Sequence, residues 1–211
     1  MARKKPSWKK LLAAGVVTTS LGLGFWASKA FYEVEDVMDG DTFSTKEHQY
    51  IRLSDIDAPE IDGCLGREAK EELSKIIKGK KVFIKVTYTD QKYIRFIGTV
   101  YTLRGNVEEA MVKKGLATLH GNKEREELRK AAEEARNKGV GVYSPACTQT
   151  ENPKNAKCTI KGKASNKEKL YQFPGCKYYK DTLVQLHLGD KWFCSEKEAL
   201  VAGFTKSGAC P

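Results

Sequence analysis

The 211 residues contain no Cys-x-x-Cys pair, and none of the three histidines stands at zinc-finger spacing from a cysteine. A structural zinc site is therefore set aside. The six cysteines, Cys64, Cys147, Cys158, Cys176, Cys194 and Cys210, read instead as disulfide partners in an oxidising compartment. Acids are absent from the first 30 residues, which carry Arg3, Lys4, Lys5, Lys9, Lys10 and Lys29, and the 18 residues from Leu11 to Ser28 hold no ionisable group at all. As a helix that run spans about 27 Å, marginal against a bilayer core of about 30 Å. A basic start before an apolar run is the grammar of export, and Ser28-Lys29-Ala30 offers small residues for cleavage. Residues 1–30 thus read as a signal peptide or a membrane anchor. Either one places the remainder outside the cytoplasm, as a secreted, periplasmic or membrane-attached protein.

The net charge of +10 is unevenly placed: the leader carries +6 and the segment from Cys147 to Pro211 carries +5, which leaves −1 for the stretch between. A globally basic core is excluded. Attraction to a polyanion must come from a few placed cations or from the C-terminal segment.

A chain of this length supports one main core with appendages. Short β-like runs, Phe31–Val37, Thr42–Ser44, Gln49–Ile56, Lys81–Tyr88 and Arg95–Leu103, alternate with turn chemistry. Helical spacing appears over Arg67–Lys78, stopping at Gly79, over Val107–Lys114, stopping at Gly115, and over Lys123–Lys138 before Gly139. Five strands with a helix between the third and fourth predict an α+β, mainly β, fold: a five-stranded OB-fold barrel with three helices over residues 31–146. Residues 147–157, polar and containing Asn152-Pro153, read as a linker. Residues 158–211 read as a small disulfide-stapled C-terminal module, in which Ser195-x-x-Glu198 is a capping box opening a short helix that ends near Gly203.

Acids crowd one part of the barrel region: Asp36, Asp39, Asp41, Asp55, Asp57, Glu60 and Asp62. Such a set on short strands and turns either forms a plain acidic surface or gathers a cation. Pro59 cannot donate to a ladder, so the strand carrying Arg52 should end there and present Asp57 and Glu60 at its mouth. Gly40 permits a tight turn at Asp39-Gly40-Asp41.

The ordered motifs Val37-Met38-Asp39-Gly40-Asp41-Thr42-Phe43, Ile51-Arg52-Leu53, Asp55-Ile56-Asp57-Ala58-Pro59-Glu60, Asp90 to Arg95 and Gly115-Leu116-Ala117 closely resemble the staphylococcal-nuclease-like, or thermonuclease, family over residues 32–145. The resemblance implies a calcium-dependent phosphodiesterase acting on DNA and RNA. By position it implies Asp41 and Asp57 as Ca²⁺-binding carboxylates, with the backbone carbonyl of Ala58 as a further ligand. Glu60, counted with the metal-binding residues as well, would orient or deprotonate the attacking water; Arg52 and Arg95 would contact the phosphate, and Tyr93 would touch a phosphate near the cleaved bond. Physically, two carboxylates and Glu60 against a divalent cation and two arginines leave about +1 to face a phosphodiester of −1.

Ile94 stands where the family usually has glycine, and Gln91 lengthens the approach to it by one residue. His120 reads as a surface residue. The C-terminal motifs Ile160-Lys161-Gly162, Pro174-Gly175-Cys176 and Trp192-Phe193-Cys194 resemble a module appended to some of these nucleases, either a structural appendage or a binder of nucleic acid or cell envelope. Spacing suggests the bridges Cys158–Cys194, Cys176–Cys210 and Cys64–Cys147 among the fifteen pairings possible. The competing reading of the whole is a non-catalytic OB-fold protein that binds nucleic acid, against which the joint presence of Arg52, Glu60 and Arg95 argues.

Overall fold

The computed structural model describes residues 31–121, 125–165 and 167–211. The leader expected over 1–30 and the expected start of the third helix at Lys123 lie outside the described residues. Among the described residues no helix is long and apolar enough to cross a membrane.

Five strands close the barrel: β1 (Phe31–Val37), β2 (Thr42–Thr45), β3 (Tyr50–Leu53), β5 (Lys81–Asp90) and β6 (Arg95–Thr102). They pair antiparallel in the order β3-β2-β1-β5-β6, with the short β7 (Gly105–Asn106) added to β6, and a parallel pairing of β3 with β6 joins the ends. Period-two alternation drives the closure. Ile51 and Leu53 of β3 point into the core with Val34, Phe43, Val82 and Val100, while Arg52 stays on the outer face. Helix α1 (Gly66–Ile77) buries Ala69, Leu73 and Ile77 on the same core. Helix α2 (Val107–Lys113) adds Val107, Met111 and Val112, and α3 (Glu126–Lys138) adds Leu128, Ala131 and Ala132. Asn106 caps α2 by accepting from the Glu109 amide at 2.7 Å, and α3 stops at Gly139 with φ +60°.

The strand expected over Gln49–Ile56 is two strands. Asp55 adopts φ +63°, which breaks β3 after Leu53, and the chain resumes as β4 (Ile56–Asp57), paired with β8 (Thr118–Leu119) rather than within the barrel. The tightness at Asp39-Gly40-Asp41 comes from Asp39, whose Oδ1 accepts from the amides of Asp41 at 2.9 Å and Thr42 at 2.7 Å. Gly40 is needed for space: a Cβ there would meet the Cβ atoms of Ala58 at 2.5 Å and Ala69 at 2.7 Å. It is the point where α1 presses on the loop carrying the acids.

The first residues of the stretch 147–157, read from sequence as a linker, pair with the module. Thr148–Gln149 forms strand β9, paired with β12 (Val184–Gln185) of the C-terminal module. Leu186 donates to the Cys147 carbonyl at 2.8 Å, and Trp192 Nε1 donates to Gln149 Oε1 at 2.7 Å. The polar Gln149 side chain is 7% exposed because it bonds across to Trp192 instead of to water. The module itself is a small sheet, β13 (Lys191–Phe193), β10 (Ile160–Ala164), β11 (Lys169–Gln172) and β14 (Thr205–Lys206), over a core of Ile160, Tyr171, Phe193, Ala199 and Phe204. So few apolar residues need the bridges Cys158–Cys194 and Cys176–Cys210, on the order of 3–4 kcal/mol each by loop closure. Helix α4 (Glu196–Val201) begins at Ser195, whose Oγ accepts from the Glu198 amide at 3.2 Å; Glu198 returns to the Cys194 amide at 2.9 Å. The third bridge, Cys64–Cys147, ties the loop after Glu60 to the start of this segment.

Candidate active site

The parallel seam sets the spacing of two arginines. Tyr50 stands opposite Arg95 and Arg52 opposite Ile97, so Arg52 and Arg95 share the outer face, displaced by one strand and two residues. At standard sheet spacings their Cα atoms lie about 8 Å apart, within reach of one phosphate for two guanidinium forks.

Arg52 lies between Asp41 and Asp57, with one Nη on Asp41 Oδ1 and the other on Asp57 Oδ1. Its second Nη also donates to the Ile56 carbonyl at 3.3 Å. Burial opposes the guanidinium's charge, but Asp41, Asp57 and Asp39 outweigh it and hold the group above the ordinary arginine range. Asp41 is 4% exposed and engaged through both oxygens: Oδ1 also accepts from Thr42 Oγ1 at 2.9 Å, and Oδ2 from the Ala58 amide at 2.9 Å. Asp39 is pushed up by burial and by Asp41 beside it.

His120, read from sequence as a surface residue, is exposed as expected, yet its Nδ1 lies 2.5 Å from Asp57 Oδ2. Its amide donates to the Asp55 carbonyl at 2.9 Å, which brings β8 alongside the acidic loop. Arg95 is steadied by Asp90, Nε to Oδ2 at 3.4 Å, and its guanidinium lies 4.8 Å from the ring centre of the exposed Tyr93. Between them Ile94 takes φ +50°. That is the left-handed conformation in which glycine carries no penalty.

Glu60 stands exposed on the loop leading to α1. Its carbonyl accepts from Gly63 at 2.7 Å and is packed against Gly66, where a Cβ would sit 1.9 Å from that oxygen. Only glycine allows α1 to start there. Sequence reading missed Gly66, since nothing local distinguishes it from an ordinary loop glycine; Asp90 and Thr42 lie inside the quoted motifs but had been given no role.

One cleft of about 1860 Å³ runs over this face. The barrel's wall brings together Asp41, Arg52, Asp57, Ala58, Glu60, Tyr93 and Arg95, and His120 joins them. The disulfide candidates are not part of this set except Cys64, at its edge. Among the described residues no three His, Cys or acidic side chains form a ready metal cage. What is offered is smaller: two carboxylates that converge on one positive group, with carbonyl oxygen beside them. An all-oxygen set of that size suits a hard divalent cation that keeps several waters.

Comparison with known proteins identifies the family. The family model described as staphylococcal nuclease homologue matches residues 50–145, which include Arg52, Asp57, Glu60, Tyr93 and Arg95 but not Asp41. Protein ParB of Escherichia coli is 34% identical over 127 residues, covering 53% of this chain and 71% of its own. The chain belongs to the staphylococcal nuclease homologue family. Staphylococcal-like nuclease CAN1 of Arabidopsis thaliana is 43% identical over 95 residues, 44% of this chain, though the match spans only 29% of the plant protein. An uncharacterized endonuclease of Escherichia coli O157:H7 is 32% identical over 115 residues, 52% of this chain and 74% of its own. As a staphylococcal nuclease homologue the chain has its family match confined to the barrel and helices; the module from 158 onward lies beyond the matched residues.

Proposed function

We propose that this protein is a calcium-dependent nuclease that hydrolyses phosphodiester bonds of DNA or RNA outside the cytoplasm. The observation that carries the reading is the convergence of Asp41 and Asp57 on Arg52, with Glu60 and Arg95 on the same cleft wall. Arg52 and Arg95 bind non-bridging phosphoryl oxygens and hold the charge that builds on them as water adds. Glu60, exposed at the mouth, takes the proton of the attacking water. Asp41, Asp57 and the Ala58 carbonyl would hold calcium, which when bound neutralises charge and polarises the phosphate as a Lewis acid. Tyr93 packs beside Arg95 and flanks the neighbouring phosphate. Three disulfides support an oxidising compartment, and the leader of residues 1–30 would deliver the protein there, cleaved or retained as an anchor.

A plasmid-digestion assay tests the reading. Cleavage is expected with millimolar calcium and none with excess chelator. Binding of nucleic acid without cleavage under any divalent cation would favour the non-catalytic OB-fold alternative.

A further inference from the structure

The cleft has a second wall, which comes from the C-terminal module. Among the described residues, seven carboxylates and only two arginines line the barrel's side. Even with a divalent cation in place, a polyanion meets a net negative surface there. The facing wall has the opposite balance. It is formed by the turn Leu186–Leu188 with Gly189, Asp190 and Lys191, and by Lys154 from the segment that crosses to the module. Its single acid is neutralised: Asp190, 2% exposed, pairs with Lys163 Nζ and accepts from the amides of Ala164 and Gln185, both at 2.8 Å. Those bonds fix the turn, while Lys191 just after it and Lys154 on the crossing segment are both exposed. His187, 6% exposed, has an Nδ1 with no hydrogen-bond partner, a buried polar atom that the fold does not satisfy. The turn also abuts the loop that follows Glu60: the Gly63 position faces the His187 carbonyl, a Cβ there lying 3.8 Å away, and Cys64 is bridged to Cys147, whose carbonyl holds the Leu186 amide.

We infer that the C-terminal module is a working part of the substrate cleft, with Lys154 and Lys191 binding phosphates of the nucleic-acid strand away from the bond being cut. This rests on the nuclease reading above. The module is then a specificity device: it lets a strand, but not an isolated phosphodiester, cross the acidic wall.

The test uses the full chain with Lys154→Ala and Lys191→Ala, singly and together, and with Lys197→Ala as a control on the module's exposed helix. With calcium, the double variant should raise KM for a 20-nucleotide single strand about tenfold while kcat stays within twofold, and should lower the slope of log affinity against log salt by about 1.4. KM for a dinucleotide should move less than twofold. An unchanged KM and salt slope, or an equal rise for the dinucleotide, overturns the inference. Should the unmutated protein cleave nothing, the nuclease reading alone fails. Anisotropy of the labelled strand then decides: binding weakened about tenfold in the double variant supports the module's role, and binding equal to the unmutated protein refutes it.

Discussion

Cys64, four residues beyond Glu60, is bonded to Cys147, 83 positions away, so the loop that presents Glu60 is anchored to the segment that leads into the module. Cys64→Ser with Cys147→Ser should therefore act twice. Loss of the closed loop should cost about 4 kcal/mol, roughly 10 °C of melting temperature. The calcium concentration for half-maximal activity should rise several-fold, since Glu60 and Asp57 lose their restraint. Calcium titration of activity at 20 °C, where the fold survives, separates the two; an unaltered titration would show that the bridge serves stability alone.

At the phosphate site, Arg52→Lys, Glu60→Gln and Arg95→Ala are each expected to lower turnover by about 10² or more. The lysine variant is the most telling, because an ammonium lacks the fork that meets Asp41 and Asp57 together. Single-turnover rates are the measurement, and near-normal rates in all three would remove the site from consideration.

Glu108 is fully buried on α2, with Oε1 accepting from the Val100 amide at 3.0 Å and Oε2 without a partner. Burial pushes its pKa up to about 7, against smaller downward pulls that include Arg125. In the folded state the carboxyl then keeps a proton that the unfolded chain releases at its ordinary value of 4.5. Its contribution to stability is fully present below that value, falls as pH rises to about 7, and is flat above. Glu108→Gln should gain on the unmutated protein by up to roughly 3 kcal/mol between pH 5 and pH 8 in urea denaturation. A difference that does not vary with pH would contradict this.

Ile94 is 82% exposed, so it gains little from burial, yet it holds a β-branched side chain at φ +50°. Ile94→Gly removes strain at a small entropic cost and should stabilise by about 1 kcal/mol, a rise of roughly 2–4 °C in thermal melting. Destabilisation would mean the turn tolerates isoleucine without strain.

The barrel was legible because its residues alternate. Ile51-Arg52-Leu53 announces a strand with one polar face, and the stripe Ala69, Leu73, Ile77 announces a helix with one apolar face. The site residues were legible through ordered motifs, and the structure places Asp41, Arg52, Asp57 and Glu60 on one wall. What local pattern could not carry was contact across distance. Gly66 is required by the Glu60 carbonyl, and Glu108 reads as one more helix acid until its burial is known. Gln149 looks like part of a spacer because its partners, Val184 and Trp192, lie more than thirty positions on. Asp55 broke the third strand through its own left-handed φ, a conformation that Asp tolerates better than most residues but does not advertise.

The parallel seam between β3 and β6 carries both arginines, and this divides the chain's freedom to vary. Insertions in the turns between other strands leave the gap between Arg52 and Arg95 untouched. An added or deleted residue within either seam strand would rotate one arginine to the barrel's interior face while its partner stayed outside. Lineages of this protein should therefore drift in loop length nearly everywhere, yet keep Tyr50–Leu53 and Arg95–Gly98 free of gaps.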